Sequence, residues 1–149
     1  MRDPESFAIA VQAAETGHLV LSTMHANSTT TAIERIIEIF PPEKQQQMRM
    51  QLAEAFLLVL NQRLIPRKDG EGRALAYEKL ANTPRIRNMI REGKTHQIRS
   101  IFQHSAEEFS SLDASLNALV KRGVISMEEG IKYCEYPTTL NDGAAKRTK

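Results

Sequence analysis

The length and composition of the chain are those of one globular domain with room for a core. Of its 149 residues, 41% are apolar and 26% are charged. No apolar run approaches the roughly 20 residues of a membrane span, so a transmembrane segment is excluded and any membrane association is expected to be peripheral. The formal charge of +2 depends on basic residues at the C-terminus. A nucleic-acid partner would require basic residues spread over a face, so this distribution argues against one. The single cysteine excludes an internal disulfide.

The first predicted elements are a helix and a short strand. Pro4 suits the first turn of a helix whose apolar residues recur at helical spacing until Gly17 ends it. The apolar run Leu19–Leu21 then predicts a strand buried on both faces, with His18 before it and His25 after it. A strand that delivers polar side chains to a ligand has this pattern in α/β sheets. A core strand with two incidental histidines has it too, so the pattern alone leaves both interpretations open.

Two further helices are predicted after this strand. A polar turn covers 27–31, and Thr31 with Glu34 fits a capping box. The following apolar residues stand at i, i+3, i+4 and i+7 and predict one buried helix face: Ile33, Ile36, Ile37 and Phe40. Two prolines, 41–42, end this helix, and a longer one is predicted from Glu43 to about Gln62.

A hairpin separates these helices from a helical remainder. Its strands are predicted at 63–66 and 73–80, joined by the glycine-containing turn at 69–72. Thr83 then provides a cap and Pro84 a first helical residue. The chain is helical in pattern from there to residue 134. Further helix boundaries are predicted at Ser110 or Ser111, at Gly123, and at Ser126 with its capping-box partner Glu129.

The change of composition near residue 81 divides the chain. We predict an α/β part at 1–80, a small helical subdomain at 81–136 and a disordered basic tail at 137–149. The boundary falls where strand-forming sequence gives way to capped, amphipathic helices. No internal repeat is present in the sequence.

The sequence offers little support for common catalytic or metal sites. His18 and His25 are seven residues apart on a predicted strand, and His96 and His104 have no companion cysteine, so no metal site is predicted. A Gly-x-Ser-x-Gly elbow is absent. So is Gly-x-x-x-x-Gly-Lys-Ser/Thr, the loop that cradles a triphosphate and supplies a magnesium ligand. The 149 residues alone are therefore expected neither to bind a cofactor nor to hydrolyse a nucleotide.

Several motifs nevertheless resemble those of one family. Residues 1–3, Met-Arg-Asp, look like the end of a Walker B element, Gly-Glu-Met-Arg-Asp. Residues 16–25, Thr-Gly-His-Leu-Val-Leu-Ser-Thr-Met-His, are similar to a His box, and 33–41 look like the helix that follows it. In this order the motifs resemble the secretion and pilus motor ATPases, and the likeness extends from residue 1 to about 133.

A further motif points to one branch of that family. Residues 83–92, with 93–98 continuing the likeness, resemble the Ala-Ile-Arg-Asn-Leu-Ile-Arg-Glu motif of pilus retraction ATPases. Arg85 stands where that motif has alanine, and Met89 where it has leucine. The positions carried over are Arg85, Ile86, Arg87, Asn88, Met89, Ile90, Arg91 and Glu92. The motif favours a retraction motor over an assembly or secretion motor, while the two departures weaken that distinction.

The resemblance carries a fold and a function as expectations. It implies an α/β fold, the C-terminal part of a RecA-like P-loop ATPase core followed by a small helical subdomain. The family's phosphate loop and Walker B glutamate would precede residue 1. The complete protein would bind ATP and Mg²⁺, form a homo-hexamer and drive type IV pilus disassembly in the cytoplasm, peripheral to the inner membrane. The alternatives are a truncated, non-enzymatic interaction module and part of a pilus-assembly or type II secretion ATPase.

The resemblance also suggests roles for polar residues near the nucleotide. His25 would sense the γ-phosphate or the attacking water, with Thr23 as a neighbouring contact, since imidazole can donate to phosphate while near neutral. A histidine bonded to backbone at a strand end is the alternative. His18 would lie roughly 20 Å away along a strand, and either caps the preceding helix or meets a neighbouring domain. Arg2 would pair with carboxylates near the metal or reach across a subunit boundary.

The arginines of the later motif have two interpretations. Arg87 and Arg91 share one helix face, while Ile86 and Ile90 anchor another. The resemblance implies a role in retraction separable from hydrolysis, and the alternative is a solvated charged face. Arg35, between Glu34 and Glu38, is predicted to form a weak surface ion pair. Exposed apolar surface is expected wherever the predicted strand lacks neighbours.

Overall fold

The computed structural model describes residues 3–101 and 107–141. Its helices and strands mix along the chain, as an α/β fold class requires. The α-helices are α1 Pro4–Glu15, α2 Thr29–Glu38, α3 Pro42–Ala55, α4 Pro84–Arg91, α5 Ile98–Ile101, α6 Leu112–Lys121 and α7 Met127–Tyr133. The strands are β1 Leu58–Pro66, β2 Arg73–Ala81 and β3 Phe109–Ser110, in the sheet order β1-β2-β3, and single 3₁₀ turns occupy Thr95–Gln97 and Pro137–Thr139.

The described residues form two compact units, each built from separate stretches of chain. The first takes residues 3–59, 80–101 and 107–109, and the second takes 60–79 and 110–141. The predicted ranges 1–80 and 81–136 follow a different division and remain a prediction. No helix within the described ranges has the length and hydrophobicity of a membrane span.

The core of the first unit is made mainly by the apolar faces of α1 to α4, which the helical spacing read from the sequence places inward. It is completed by Leu80 of β2, Ile98 of α5 and Phe109 of β3. The buried set is Phe7, Val11, Ile33, Ile37, Phe40, Met48, Leu52, Ala53, Leu80, Ile86, Ile90, Ile98 and Phe109. Helix α1 begins where it was predicted, because the Asp3 carboxylate accepts a hydrogen bond from the Ser6 amide at 2.8 Å. It ends at Glu15, and Gly17, two residues later, has a φ of 92° that favours glycine.

Helix α2 begins before its predicted cap. The Ser28 hydroxyl, and not Thr31, caps the helix by accepting a hydrogen bond from the Thr31 amide at 3.1 Å. The capping box of Thr31 with Glu34 is therefore wrong, and Glu34 instead pairs with Arg49 of α3 at 3.4 Å. A run of hydroxyl residues offers several possible caps, and only the packing of the helix selects one.

The predicted hairpin is present, but its first strand is longer than predicted. Helix α3 ends at Ala55 and β1 begins at Leu58, so the helix predicted to reach Gln62 is wrong. Apolar residues after position 55 continue a helical spacing. The Asn82 side chain, however, donates to the carbonyls of Ala53 and Phe56 at 2.9 and 2.6 Å, which stops the helix there. The two-residue β3 was missed, because so short a strand has no sequence pattern.

The second unit packs the hairpin, α6 and α7 around its own core. Ser111 and Ser126 accept hydrogen bonds from the amides of Ala114 and Glu129 at 3.2 and 3.1 Å, which confirms both predicted helix starts. The predicted end of α6 at Gly123 is confirmed by its φ of 69°. The buried apolar side chains are Ile65, Ala74, Ala76, Leu116, Val120, Ile125 and Leu140.

The segment after α7 is ordered as far as residue 141. The buried carboxylate of Asp113 accepts hydrogen bonds from the amides of Glu135 and Tyr136, both at 2.8 Å. Leu140 is buried in the core of the second unit. A disordered tail starting at 137 is therefore wrong for residues 137–141, because these contacts lie far apart in sequence. Residues 142–149 lie outside the described residues.

Candidate functional site

The His-box loop, residues 18–26, belongs to no helix or strand. Leu19 and Leu21 are 77% and 87% exposed, so the prediction of a strand buried on both faces is wrong. A β-strand is defined by hydrogen bonds to a neighbouring strand, and the sheet of the described residues contains only β1, β2 and β3. The apolar run therefore has no neighbouring strand among the described residues, which gives the expected exposed apolar surface.

Both ends of the His-box loop are attached to helices of the first unit. The His18 Nδ1 atom lies 3.3 Å from the carbonyl oxygen of Ala13 and 3.1 Å from the Thr16 hydroxyl, at the C-terminus of α1. At the other end, the Arg35 guanidinium of α2 donates to the His25 carbonyl at 2.6 Å. The predicted ion pair of Arg35 is thus replaced by a backbone contact that ties the loop to α2.

The side chain of His25 is exposed at the end of this loop. Its imidazole has no hydrogen-bond partner within the described part of the chain, and Thr23 is also exposed. An exposed imidazole can donate to or accept from a ligand oxygen. Arg2 lies outside the described residues. Among the residues that the structure describes, no three His, Cys, Asp or Glu side chains are grouped as metal ligands.

Helix α4 carries the second motif and begins as predicted. The Thr83 hydroxyl caps it by accepting a hydrogen bond from the Ile86 amide at 3.4 Å, and Pro84 is its first residue. Ile86 and Ile90 are both fully buried, and Met89 packs against the same core. The predicted anchoring face of the helix is therefore confirmed, and its polar face is held at a fixed orientation.

The arginines on that polar face are paired with carboxylates. The Arg87 Nη1 atom lies 3.3 Å from Oε2 of Glu54, and the Arg91 guanidinium contacts the other oxygen of the same carboxylate. Arg85 lies 3.4 Å from Glu108 and is 68% exposed. Partly exposed pairs of this kind contribute about 0–1 kcal/mol each to the free energy of unfolding. They fix the directions of the side chains far more than they stabilise the fold.

The remaining motif residues face solvent at the end and outer side of α4. Asn88 is exposed, and Glu92 forms an ion pair with Lys94 at 2.7 Å. The spacing of Arg87 and Arg91 predicted their shared face correctly. Sequence reasoning missed Glu54, because its distance of more than thirty positions from the arginines gives no local signal.

The chain belongs to the family described as "Type II/IV secretion system protein", whose model matches residues 1–132. Two curated relatives are more specific. The "Twitching motility protein" of Neisseria gonorrhoeae is 40% identical over 129 residues, which cover 86% of this chain and 34% of that protein. The type IV pilus retraction ATPase PilT of Pseudomonas aeruginosa is 41% identical over 138 residues, covering 92% of this chain and 40% of that protein. The family resemblance predicted from the motifs is confirmed.

A solved structure agrees with these sequence matches. The crystal structure of the pilus retraction motor PilT with bound ADP matches the fold with a TM-score of 0.82 at 40% identity, over 94% of this chain and 39% of that chain. The predicted α/β fold of a RecA-like motor ATPase is thereby confirmed. The chain spans 34–40% of the length of the two curated relatives it matches.

Proposed function

We propose that this chain supplies the C-terminal part of an ATPase that powers retraction of a type IV pilus. The observation that carries the proposal is the similarity to retraction motors along nearly the whole chain. The motif on α4, which resembles theirs in sequence, supports it. In the complete protein, a homo-hexamer would use ATP and Mg²⁺ to disassemble the pilus. It would act in the cytoplasm, peripheral to the inner membrane, in contact with the pilus machinery.

In the proposed motor, the His-box loop would line one side of the nucleotide site. The exposed His25 imidazole has a free donor or acceptor position, and Thr23 stands two residues before it. These side chains would meet the γ-phosphate or the attacking water, and Arg2 would pair with carboxylates nearby. Bound ATP supplies the phosphoryl group, and His25 and Thr23 would orient it.

Loss of the His25 imidazole should lower ATP turnover far more than loss of the His18 imidazole. In the complete motor, His25→Ala should lower ATP turnover by about a hundredfold, as expected when a group that contacts transition-state charge is removed. His18→Ala is the matched control, because its ring contacts the end of α1 and should leave turnover within a few-fold. Full turnover by the His25 variant would show that the proposed sensing role is wrong.

The arginine motif provides the test of retraction itself. A motor carrying Arg87→Ala and Asn88→Ala should hydrolyse ATP while its cells bear pili that do not retract. Normal retraction by this double variant would refute the proposed role of α4. Loss of pilus assembly with this variant would favour an assembly motor instead.

A second candidate function is a non-enzymatic interaction module. It is favoured by the absence of a phosphate-loop sequence from the 149 residues. The purified 149-residue chain should show no ATP hydrolysis under either proposal. The complete reading frame distinguishes them, because an in-frame phosphate loop and a Gly-Glu pair upstream would make the chain part of an enzyme.

A further inference from the structure

Glu54 occupies the meeting point of α3 and the arginines of α4. We infer that Glu54 is a positioning residue, which holds Arg87 and Arg91 in the orientation that the motif needs for retraction. The inference rests on the proposed function, and it concerns a residue outside every motif read from the sequence. One carboxylate oxygen of Glu54 lies 3.3 Å from Arg87, and the other contacts Arg91.

The position of Glu54 is unfavourable for its own helix. It is the penultimate residue of α3, whose last turn contains no basic residue. A carboxylate there faces the negative end of the helix dipole, so it weakens α3 by itself. The compensation comes from α4, since two guanidinium groups meet this one carboxylate. The charge at Glu54 is therefore explained by its contacts with α4 and not by the stability of α3.

The backbone on both sides of this carboxylate is fixed by two consecutive residues. The Asn82 amide holds the C-terminal carbonyls of α3 on either side of Glu54, at Ala53 and Phe56. Thr83, next in sequence, caps the start of α4. The ends of both helices are thus held independently of the ion pair. Removing the charge of Glu54 should release the arginine head groups without moving the helices.

The arginine head groups depend on this one contact. Nε of Arg87 is buried without a hydrogen-bond partner. Among the described residues, Glu54 is the only group that forms an ion pair with the Arg87 guanidinium. Two guanidiniums around one carboxylate leave a net positive charge beside the exposed Asn88. Without the carboxylate, the two like charges would repel each other and turn toward solvent in many conformations.

The functional test compares two glutamates of the same helix in the complete motor. Glu54→Gln should reduce the retraction rate by about fivefold or more, with ATP turnover within twofold of the unmodified motor. Glu54→Asp should restore part of the rate, because it keeps a carboxylate. Glu43→Gln is the matched control, since Glu43 lies in the first turn of α3 and its loss costs helix stability without touching an arginine. A normal retraction rate for Glu54→Gln would overturn the inference.

A spectroscopic test requires no retraction assay. In the 149-residue chain, the Nε–H signals of Arg87 and Arg91 should shift and exchange faster with water in Glu54→Gln. The methyl signals of Ile86 and Ile90 and the thermal midpoint should stay unchanged. Arginine signals that do not respond would show that the carboxylate does not hold the pair, and changed isoleucine signals would show that Glu54 is merely structural.

The two proposals fail in different ways. If Arg87→Ala with Asn88→Ala blocks retraction and Glu54→Gln does not, the motif retains its function and only the positioning role of Glu54 is wrong. If the double variant retracts pili normally, both the role of the motif and that of Glu54 in retraction are wrong. Loss of retraction in both, with rescue by Glu54→Asp, supports both.

Discussion

The His-box loop and helix α4 belong to the same compact unit, yet only one of them is fully packed. The leucines of the loop are 77% and 87% exposed, whereas Ile86 and Ile90 of α4 are fully buried. A helix satisfies its backbone hydrogen bonds internally and needs only one apolar face to be covered. An extended segment needs a neighbouring strand for every pair of hydrogen bonds. Apolar side chains are therefore exposed in the loop and buried in the helix.

The difference also separates two ways of presenting polar side chains. The arginines of α4 are held by the buried face of the helix and by Glu54. Within the described ranges, the hydrogen bond seen at His25 is to its backbone, from the Arg35 guanidinium. The arginines of the α4 motif are therefore held in position by contacts within this chain. In the described part of the chain, the imidazole of His25 is not.

Truncation of one apolar side chain in each segment gives the largest expected contrast. Ile90→Ala should lower the free energy of unfolding by about 3 kcal/mol, because it leaves a cavity in a closed core. Leu21→Ala should change it by less than about 0.5 kcal/mol, since the side chain is exposed. Urea unfolding of the 149-residue chain measures both. Comparable losses in the two variants would mean that the loop is packed in solution and would contradict the difference in burial between the two segments.

Removal of the α4 cap is the next largest expected effect. Thr83→Ala should cost about 1 kcal/mol, because the Ile86 amide loses its acceptor. Thr83 also donates to Glu108 at 2.8 Å, so Thr83→Ser, which keeps the hydroxyl, should recover most of the loss. Ser22→Ala in the His-box loop is the control and should be neutral. An equal loss in the alanine and serine variants would show that the hydroxyl is not the stabilising group.

The attachment of the His-box loop to α2 should have a local effect. Arg35→Gln should raise amide exchange around His25 several-fold while changing the global free energy of unfolding by less than about 0.5 kcal/mol, because one exposed contact is lost. Hydrogen exchange followed by mass spectrometry measures this. Arg49→Gln breaks the pair with Glu34 and should leave exchange in the loop unchanged. A loop that is already unprotected in the unmodified chain and insensitive to Arg35 would contradict the attachment.

The smallest expected effect is a pH dependence at the start of α1. Hydrogen bonds from the Ser6 amide and hydroxyl lower the pKa of Asp3 below its ordinary value of 3.8. Because the folded pKa is the lower one, the stabilisation is present above about pH 4 and is lost as the pH falls through the lowered pKa. The Ser6 amide resonance should report this transition. In Asp3→Asn the cap remains without a titrating charge, and the transition should disappear. Its persistence would assign the titration to another group.

Local patterns predicted much of the helical structure because the relevant interactions are close in sequence. The cap at Thr83, the buried face of α4 and the shared face of Arg87 and Arg91 all depend on spacings of three or four residues. The same local reasoning misplaced the cap of α2, where Ser28 replaced Thr31. It also extended α3 beyond Ala55. At α2 several neighbouring hydroxyls could serve as the cap. At α3 the distant Asn82 side chain marks where the helix ends.

The candidate site was predicted only in part, for the same reason. Its motifs identified the family and singled out His25 and the arginines of α4. The partners of these residues, Arg35 for the loop and Glu54 for the arginines, were not identified, since the contact of Glu54 with Arg87 spans more than thirty positions.

By itself, the sequence determined the family, the α/β class, the hairpin and most helix starts, because these depend on motifs and short-range periodicity. Only the tertiary structure decided which apolar segments are buried and which charges meet. Burial of Leu19 and Leu21 would require a neighbouring strand. Pairing of Glu54 with Arg87 and Arg91 requires the end of α3 to lie beside α4, where the Asn82 side chain bonds to α3. Both depend on contacts between distant residues, which propensity and periodicity do not encode.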